Sequence, residues 1–227
     1  MNVLRPIAPI LKKLAQVYTR KEREFSYNNI SVKVLPGVFH PGLFFSSKVI
    51  LNFVDKLNLK SKTFLELGAG TGIISILAAK KGATVFASDI SNKAVENVKL
   101  NAAGNNVQIT IFSSDLFKSI PAMQFDYIII NPPYYSKDPR QDEEYAWFCG
   151  SNFEYFNSLF NSLSNYIGKD SKVFMILSEV CDIQKIKSIG MENDFVWKLK
   201  IKDKFWGEEN YIFEIARNEG NIINDKI

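Results

Sequence analysis

Leu65-Glu66-Leu67-Gly68-Ala69-Gly70-Thr71-Gly72 is the stretch on which the reading of this chain turns. Thr63–Leu67 reads as a short apolar strand, and Gly72–Lys81 carries apolar residues at helical spacing. Three alternating glycines between them let the backbone turn tightly, approach a ligand closely and aim a helix N-terminus at it. A bare strand-to-helix turn needs only one glycine, so the spacing points to a bound ligand. A dinucleotide fingerprint is G-x-G-x-x-G; the shorter G-x-G-x-G here is a poor cradle for a pyrophosphate.

Outward from this loop, strands and helices alternate. Strands are expected at Thr84–Ser88, Val107–Phe112, Phe125–Ile130 and Lys172–Leu177, with helices at Ser91–Gly104, from about Ser151 and from about Asp182. Unbroken apolar runs such as Tyr127-Ile128-Ile129-Ile130 belong to a mostly parallel sheet covered by helices on both faces, an α/β fold of Rossmann-like type. Val196–Ile201 and Tyr211–Ala216 have no helix between them and should pair as an antiparallel edge hairpin. Upstream, Ser46 and Ser47 are placed to cap a helix through Leu57, and Val32, Val34 and Val38 surround a Pro36-Gly37 turn. Ser151-Asn152-Phe153-Glu154 has capping-box form. Residues 1–30 read as an amphipathic helix with Ile10, Leu11, Leu14 and Val17 on one face, packed as a cap; 31–217 form the main domain and 218–227 a tail.

Acidic residues stand at successive strand ends. Asp89 lies 19 positions after Gly70, where a carboxylate can take both ribose hydroxyls of either NAD or S-adenosylmethionine. Asp115 follows the third strand at the same carboxyl edge, the edge at which open α/β sheets bind ligands. Asn131-Pro132-Pro133-Tyr134 follows the fourth. Pro133 restricts Pro132 to extended geometry, which directs the Pro132 carbonyl into the cleft beside the Asn131 side-chain carbonyl. Two fixed acceptors match the two N–H bonds of a planar NH₂ group, a carboxamide or the exocyclic amine of a base, and Tyr134 offers that group an aromatic face.

In these residues the chain resembles the class I S-adenosylmethionine-dependent methyltransferases, within them the amino-methylating branch marked by N-P-P-Y. The resemblance runs from about Val34 to Arg217 and rests on Glu66–Gly72, Asp89, Asp115 and Asn131–Tyr134 in the family's order. It implies a seven-stranded sheet with a reversed edge strand, S-adenosylmethionine as cofactor and S-adenosylhomocysteine as product. It also implies that Gly68 and Gly70 pass close to the methionine part, Asp89 binds the ribose, and Asp115 with the Leu116 backbone holds the adenine. Glu66 then positions the loop or the cofactor's amino group. Asn131, Pro132 and Tyr134 hold the substrate amine for in-line displacement at a sulfonium methyl, with no covalent enzyme intermediate and no general base of unusual pKa.

Two substrates compete. Val38-Phe39-His40-Pro41-Gly42, with Ala146-Trp147 and Gly150 after the tyrosine loop, resembles the glutamine methyltransferases of peptide-chain release factors, which implies a protein partner. Gly37-Val38-Phe39 and Asn131–Tyr135 are also similar to small-domain RNA base methyltransferases, which implies an RNA partner and adenine N6 as acceptor. Lys198, Lys200, Lys202 and Lys204 alternate with Trp197, Leu199 and Ile201, giving one basic strand face that is either an RNA track or a solvated edge. The reading leans to glutamine. A non-catalytic S-adenosylmethionine-binding protein and a NAD-dependent oxidoreductase are the other classes considered; the paired acceptors at Asn131 argue against the first, and the G-x-G-x-G spacing against the second.

Composition removes further classes. The chain has 227 residues, one His and two Cys, so zinc centres, thiol chemistry and Ser–His–Asp triads lack their parts, and no metal is expected. The net charge of +4 names no partner. Arg5, Lys12 and Lys13 interrupt the N-terminal apolar residues before a signal peptide or membrane span could form, so a cytoplasmic location without membrane association is expected.

Overall fold

The computed structural model describes residues 20–205 and 208–218. The described chain enters through an antiparallel hairpin, β1 (Arg23–Tyr27) and β2 (Ile30–Val34). Most of the expected N-terminal helix, including Ile10 to Val17, lies outside the described residues, and its expected end near residue 30 is corrected by this hairpin. The hairpin turns at Asn28 and Asn29, while Pro36-Gly37 forms a separate tight turn closed by Val38 N–H to Leu35 O at 3.0 Å.

Helix α1 (Phe45–Asp55) follows; its cap position is Phe44 and no side chain caps it. Ser46 and Ser47, expected as caps, lie inside its first turn and are buried. The chain then runs β3 (Thr63–Leu67), α2 (Ile73–Lys80), β4 (Thr84–Asp89), α3 (Asn92–Gly104), β5 (Thr110–Ser113) and β6 (Tyr127–Ile130). It continues as α4 (Glu154–Leu163), β7 (Lys172–Ser178), α5 (Ile183–Glu192), β8 (Phe195–Phe205) and β9 (Glu208–Arg217). Ser91 and Asp182 cap α3 and α5 through their side chains.

Seven strands form one sheet in the order β5-β4-β3-β6-β7-β9-β8. Six run in one direction and β9 alone is reversed, pairing antiparallel with β7 and with β8, which gives the expected edge hairpin. The period-two alternation of β6 sends Ile128 and Ile130 to one face with Met175, Phe156 and Phe160, and Ile129 to the other with Phe174, Ile50 and Ile76. Both faces are therefore packed, and the two chain directions away from β3 meet at the β3–β6 pair, a switch point where parallel sheets open a crevice.

Three local expectations shift. Pairing in β5 starts at Thr110 because Val107 N–H closes the end of α3 on Ala102 O at 3.1 Å. Helix α4 starts at Glu154 behind a left-handed Phe153, and Ser151 does not cap it; the Glu154 carboxylate turns back to Asn152 N–H at 3.0 Å. The expected basic face of β8 is divided. A register shift between Leu199 and Ile201 puts Lys198 opposite Glu214 on one face and Lys202 and Lys204 opposite Tyr211 and Glu209 on the other.

Hairpin β1–β2 is pinned by α3. Asn97, Asn101 and Asn105, one turn apart, face β2: Asn101 Oδ1 accepts Lys33 N–H and its Nδ2 donates to Lys33 O, each at 2.8 Å. Asn97 accepts Leu35 N–H at 3.0 Å and Asn105 donates to Ser31 O at 2.8 Å. The same Asn101 Nδ2 donates to Thr71 O in the glycine loop at 2.9 Å, so one buried side chain ties the hairpin to that loop.

Candidate active site

The carboxyl ends of β3, β4, β5 and β6 open into one cavity of about 1440 Å³. All nine residues singled out from the sequence line it: Glu66, Gly68, Gly70, Asp89, Asp115, Leu116, Asn131, Pro132 and Tyr134.

The glycine loop is held by the neighbouring strand. Gly68 and Ala69 N–H donate to Ser88 O at 2.9 and 3.0 Å, and Gly72 caps α2 with φ +76°. A Cβ built on Gly68 would meet nothing within 4 Å, whereas one on Gly72 would lie 2.9 Å from Val98 Cγ1. Gly72 is thus required by packing. Gly68, at φ +74°, leaves open space above its backbone, the opening a closely approaching ligand needs.

Asp89 fixes both ends of this wall. One carboxylate oxygen accepts Gly70 N–H at 2.9 Å and the other accepts Ser91 N–H at 2.9 Å, which leaves lone pairs on each for a ligand's hydroxyls. Burial raises its pKa, and the amides of Ser91 and Gly70 offset part of that rise. Glu66 is almost fully buried; one of its oxygens accepts Ser75 N–H at 2.8 Å and also the Ser75 hydroxyl. Burial pushes the Glu66 carboxyl up to about 8, Ser75 opposes that shift, and the nearby Asp89 charge adds to it. Asp115 pairs with Lys118 at 2.6 Å, and Leu116 after it takes a left-handed backbone, φ +49°. These features fit an adenosyl ligand with a cationic methionine part: carboxylates for ribose and ammonium, and a Cβ-free backbone cradle between them.

Across the cavity, the Tyr134 hydroxyl donates to Asn131 Oδ1 at 3.0 Å. Tyr134 therefore orients the amide of Asn131 as well as offering a ring, and it leaves Oδ1 a second lone pair. Burial above all, with the Cys181 charge next and Ser46 opposing, holds the Tyr134 hydroxyl well above its ordinary range, so it stays a donor.

Two segments fold over this floor. The rings of Phe39, Phe44 and Trp147 pack together with centroids 4.9–5.5 Å apart, joining the 36–45 segment to the 135–150 loop. Glu143 of that loop reaches Lys93 on α3 at 2.7 Å, beside Gly37. The loop itself is closed at its neck: Tyr135 N–H donates to Trp147 O and Cys149 N–H to Tyr135 O, each at 2.9 Å, and Gly150 N–H donates to Lys137 O at 3.0 Å. Phe44, Tyr155, Glu179 and Glu208 also line the cavity and were not singled out from the sequence. They lie far apart in the chain, and only the sheet order brings them together.

Of the ten charged residues that line the cavity, nine are carboxylates; Arg23 is the exception. Three of the four β8 lysines are engaged elsewhere. Lys200 pairs with Glu214 at 3.0 Å, and Glu209 takes Lys202 at 2.9 Å and Lys204 at 3.8 Å. Among the described residues no group of three or more His, Cys, Asp or Glu side chains could hold a metal ion, and no helix is long and apolar enough to cross a membrane.

Comparison with known proteins gives concordant matches. The family model for the methyltransferase small domain matches residues 29–148. A Methanocaldococcus jannaschii protein, provisionally named protein N5-glutamine methyltransferase, is 35% identical over 182 residues, covering 76% of this chain and 90% of its own. Ribosomal RNA small subunit methyltransferase C of Buchnera aphidicola is 36% identical over 114 residues, 47% of this chain, and the chain spans only 33% of that relative. Among solved structures, the E. cuniculi Mtq2–Trm112 complex, responsible for methylation of the eRF1 translation termination factor, has a TM-score of 0.61 at 20% identity, covering 80% of this chain and 99% of that one. The T. thermophilus 16S rRNA N2 G1207 methyltransferase, solved with AdoMet and guanosine, has a TM-score of 0.63 at 17% identity, covering 86% of this chain and 50% of that one.

Proposed function

Because the chain belongs to the methyltransferase small-domain family and uses S-adenosylmethionine, we propose that it methylates the side-chain amide of a glutamine in a protein, with a translation release factor as the substrate. The observation that carries this reading is the charge of the cavity. Nine acidic residues line it against one guanidinium; with Glu66 protonated near neutral pH and Asp115 and Glu143 paired with Lys118 and Lys93, six still stand against Arg23, a field that opposes the phosphates of an RNA strand and suits a neutral amide on a peptide. The pairing of Lys200, Lys202 and Lys204 with glutamates of β9, and the split of the β8 lysines between two faces, weaken the case for an RNA track there and support the same reading. The similarity to the Methanocaldococcus protein over most of its length supports the same reading.

S-adenosylmethionine supplies an electrophilic methyl when bound. The residues of this chain supply position. Asp89 and Asp115 hold the adenosyl part, and the open backbone at Gly68 lets the methionine part lie close. Asn131 Oδ1 and Pro132 O accept the two N–H bonds of the substrate amide, which turns the nitrogen lone pair toward the methyl and stabilises charge developing on nitrogen. The packed Phe39, Phe44 and Trp147 rings give the cavity an apolar wall against which the reacting groups are shielded. Good positioning of this kind can lower a barrier by on the order of 7–11 kcal/mol.

The test is transfer of a labelled methyl group from S-adenosylmethionine into separated protein and RNA fractions of the source cell, with mass spectrometry of the labelled species. Label on a glutamine of a release factor is expected. Label confined to a nucleobase would overturn the glutamine assignment.

A further inference from the structure

Beyond the N-P-P-Y element, the cavity continues under the next two strands of the sheet, where Tyr135, Glu179, Val180 and Glu208 line it. The order β6-β7-β9 sets Asn131, the end of β7 and the start of β9 in a row along one sheet edge. The register sets Asn131 level with Ile176 and Ile212, and Glu208 lies four residues further along β9, so two strand spacings and that rise separate the two backbones by roughly 16 Å. By the alternation of each strand, Glu208 shares the face of Ile212, and Asn131 continues the face of Ile129; both isoleucines pack on the same side of the sheet. Charge coupling agrees with this placement, since Glu208 helps to raise Tyr134 and Tyr135 after the larger effect of burial.

Glu208 is held ready. The hydroxyl of the buried Ser178 donates to its Oε1 at 2.8 Å, which fixes the carboxylate and leaves Oε2 for another partner. Its neighbour Glu209, by contrast, is occupied by Lys202, Lys204 and the Tyr211 hydroxyl. Among the described residues no lysine or arginine forms an ion pair with Glu208 or Glu179. An anchored carboxylate facing a cavity that a second acid, Glu179, also lines, with no ion-pair partner among the described residues, is complementary to a cation brought by the ligand.

We propose that Glu208, anchored by Ser178 and assisted by Glu179, is a specificity residue that takes an arginine or lysine of the substrate within about three residues of the methylated glutamine. An extended peptide rises about 3.3 Å per residue, so three residues cover roughly 10 Å of that span and a long basic side chain covers the rest to Glu208. The assignment rests on the protein-amide reading above and adds the sequence context that the enzyme selects. Glu179 raises the local negative field; Ser178 acts through Glu208 as a positioning residue.

The experiment uses the full chain, S-adenosylmethionine and synthetic peptides that carry one glutamine, with arginine or the isosteric neutral citrulline placed in turn at each of three positions on either side. The wild type is expected to prefer arginine at one position by about tenfold in kcat/KM, through KM, as suits a charge-assisted hydrogen bond. Glu208→Gln keeps an acceptor for Ser178 and is expected to abolish the preference. Glu208→Lys is expected to reverse it toward a peptide with glutamate at that position, a rescue that loss of structure cannot give. Cofactor affinity by calorimetry shows whether each variant is folded, and Glu208→Asp, expected to weaken the preference partly, replaces any variant that is not. Methylation of all peptides without preference, or a preference that survives Glu208→Gln, overturns the assignment while the amide reading stands. Failure of the wild type to methylate any peptide overturns the amide reading, and this assignment with it.

Discussion

The Tyr134 hydroxyl donates to Asn131 Oδ1 over 3.0 Å, so the last residue of the N-P-P-Y element aims the first. Removing the donor without the ring separates the two roles of Tyr134. Tyr134→Phe is expected to lower kcat by about tenfold, the scale of one lost hydrogen bond, with cofactor affinity unchanged. Asn131→Ala removes the acceptor itself and should lower kcat by about 10²–10³-fold. Steady-state kinetics with calorimetric cofactor titration checks both; full activity of the Asn131 variant would remove the residue from the mechanism.

The two outer glycines of the loop should respond differently to the same methyl group. Gly68→Ala meets no atom within 4 Å, so its stability loss is limited to the left-handed backbone, about 1–2 kcal/mol, while cofactor affinity falls at least tenfold. Gly72→Ala drives a Cβ into the buried Val98 and should destabilise the fold by about 2–4 kcal/mol. Urea denaturation and calorimetry distinguish the two; equal effects on both observables would contradict the separation.

Glu66 carries a pH signature. Its folded-state pKa stands near 8, well above the ordinary carboxylate range, because burial disfavours the charged form. The folded chain binds this proton more tightly than the unfolded chain. The contribution to stability is therefore complete below about pH 4 and is lost as pH rises toward 8. Glu66→Gln keeps an oxygen for the Ser75 donors and has no charge to bury. Without cofactor it should melt several degrees above wild type at pH 8, at about 2–4 °C per kcal/mol, with the gap closing toward pH 5. A gap independent of pH would place the cause elsewhere.

Asn101 links β2, α3 and the glycine loop through three hydrogen bonds. Asn101→Ala leaves the part-buried Lys33 N–H and the carbonyl of the buried Thr71 without this partner, while Lys33 O keeps Asn97 Nδ2 at 2.8 Å, and should cost about 1–3 kcal/mol of stability. Amide exchange at Lys33 should quicken more than exchange in the central strands β3 and β6. A variant as stable as wild type would mean that water replaces all three bonds.

The sheet and the cofactor side of the cavity were legible in the sequence because each signal is local. A glycine triplet, an acid at a strand end and two prolines after an apolar run carry their meaning within a few residues. Ser46, Ser47 and Ser151 show how far such signals reach. Each has cap chemistry, yet chain entry through Phe44 starts α1 before Ser46 and Ser47 and entry through Phe153 starts α4 beyond Ser151, since capping is decided by the backbone angle at the first turn. Asn97, Asn101 and Asn105 were visible as a helical row, but what they bind is a strand some 65 residues earlier. The lysines of β8 alternate in sequence, and only a bulge at one pairing position shows that they do not share a face. Glu208 has no sequence signature; it becomes noticeable through Ser178, on a strand 30 residues away.

Closure of the 135–150 loop at its own neck has an evolutionary consequence. Tyr135, Lys137, Trp147, Cys149 and Gly150 tie the base with backbone hydrogen bonds, which depend little on which side chains stand between them. The intervening residues can diverge, lengthen or be exchanged while the methyl-donor floor beneath keeps its shape. The fold thus separates a backbone frame that stays fixed from a stretch of side chains free to change, so the loop can be rewritten without rebuilding the floor.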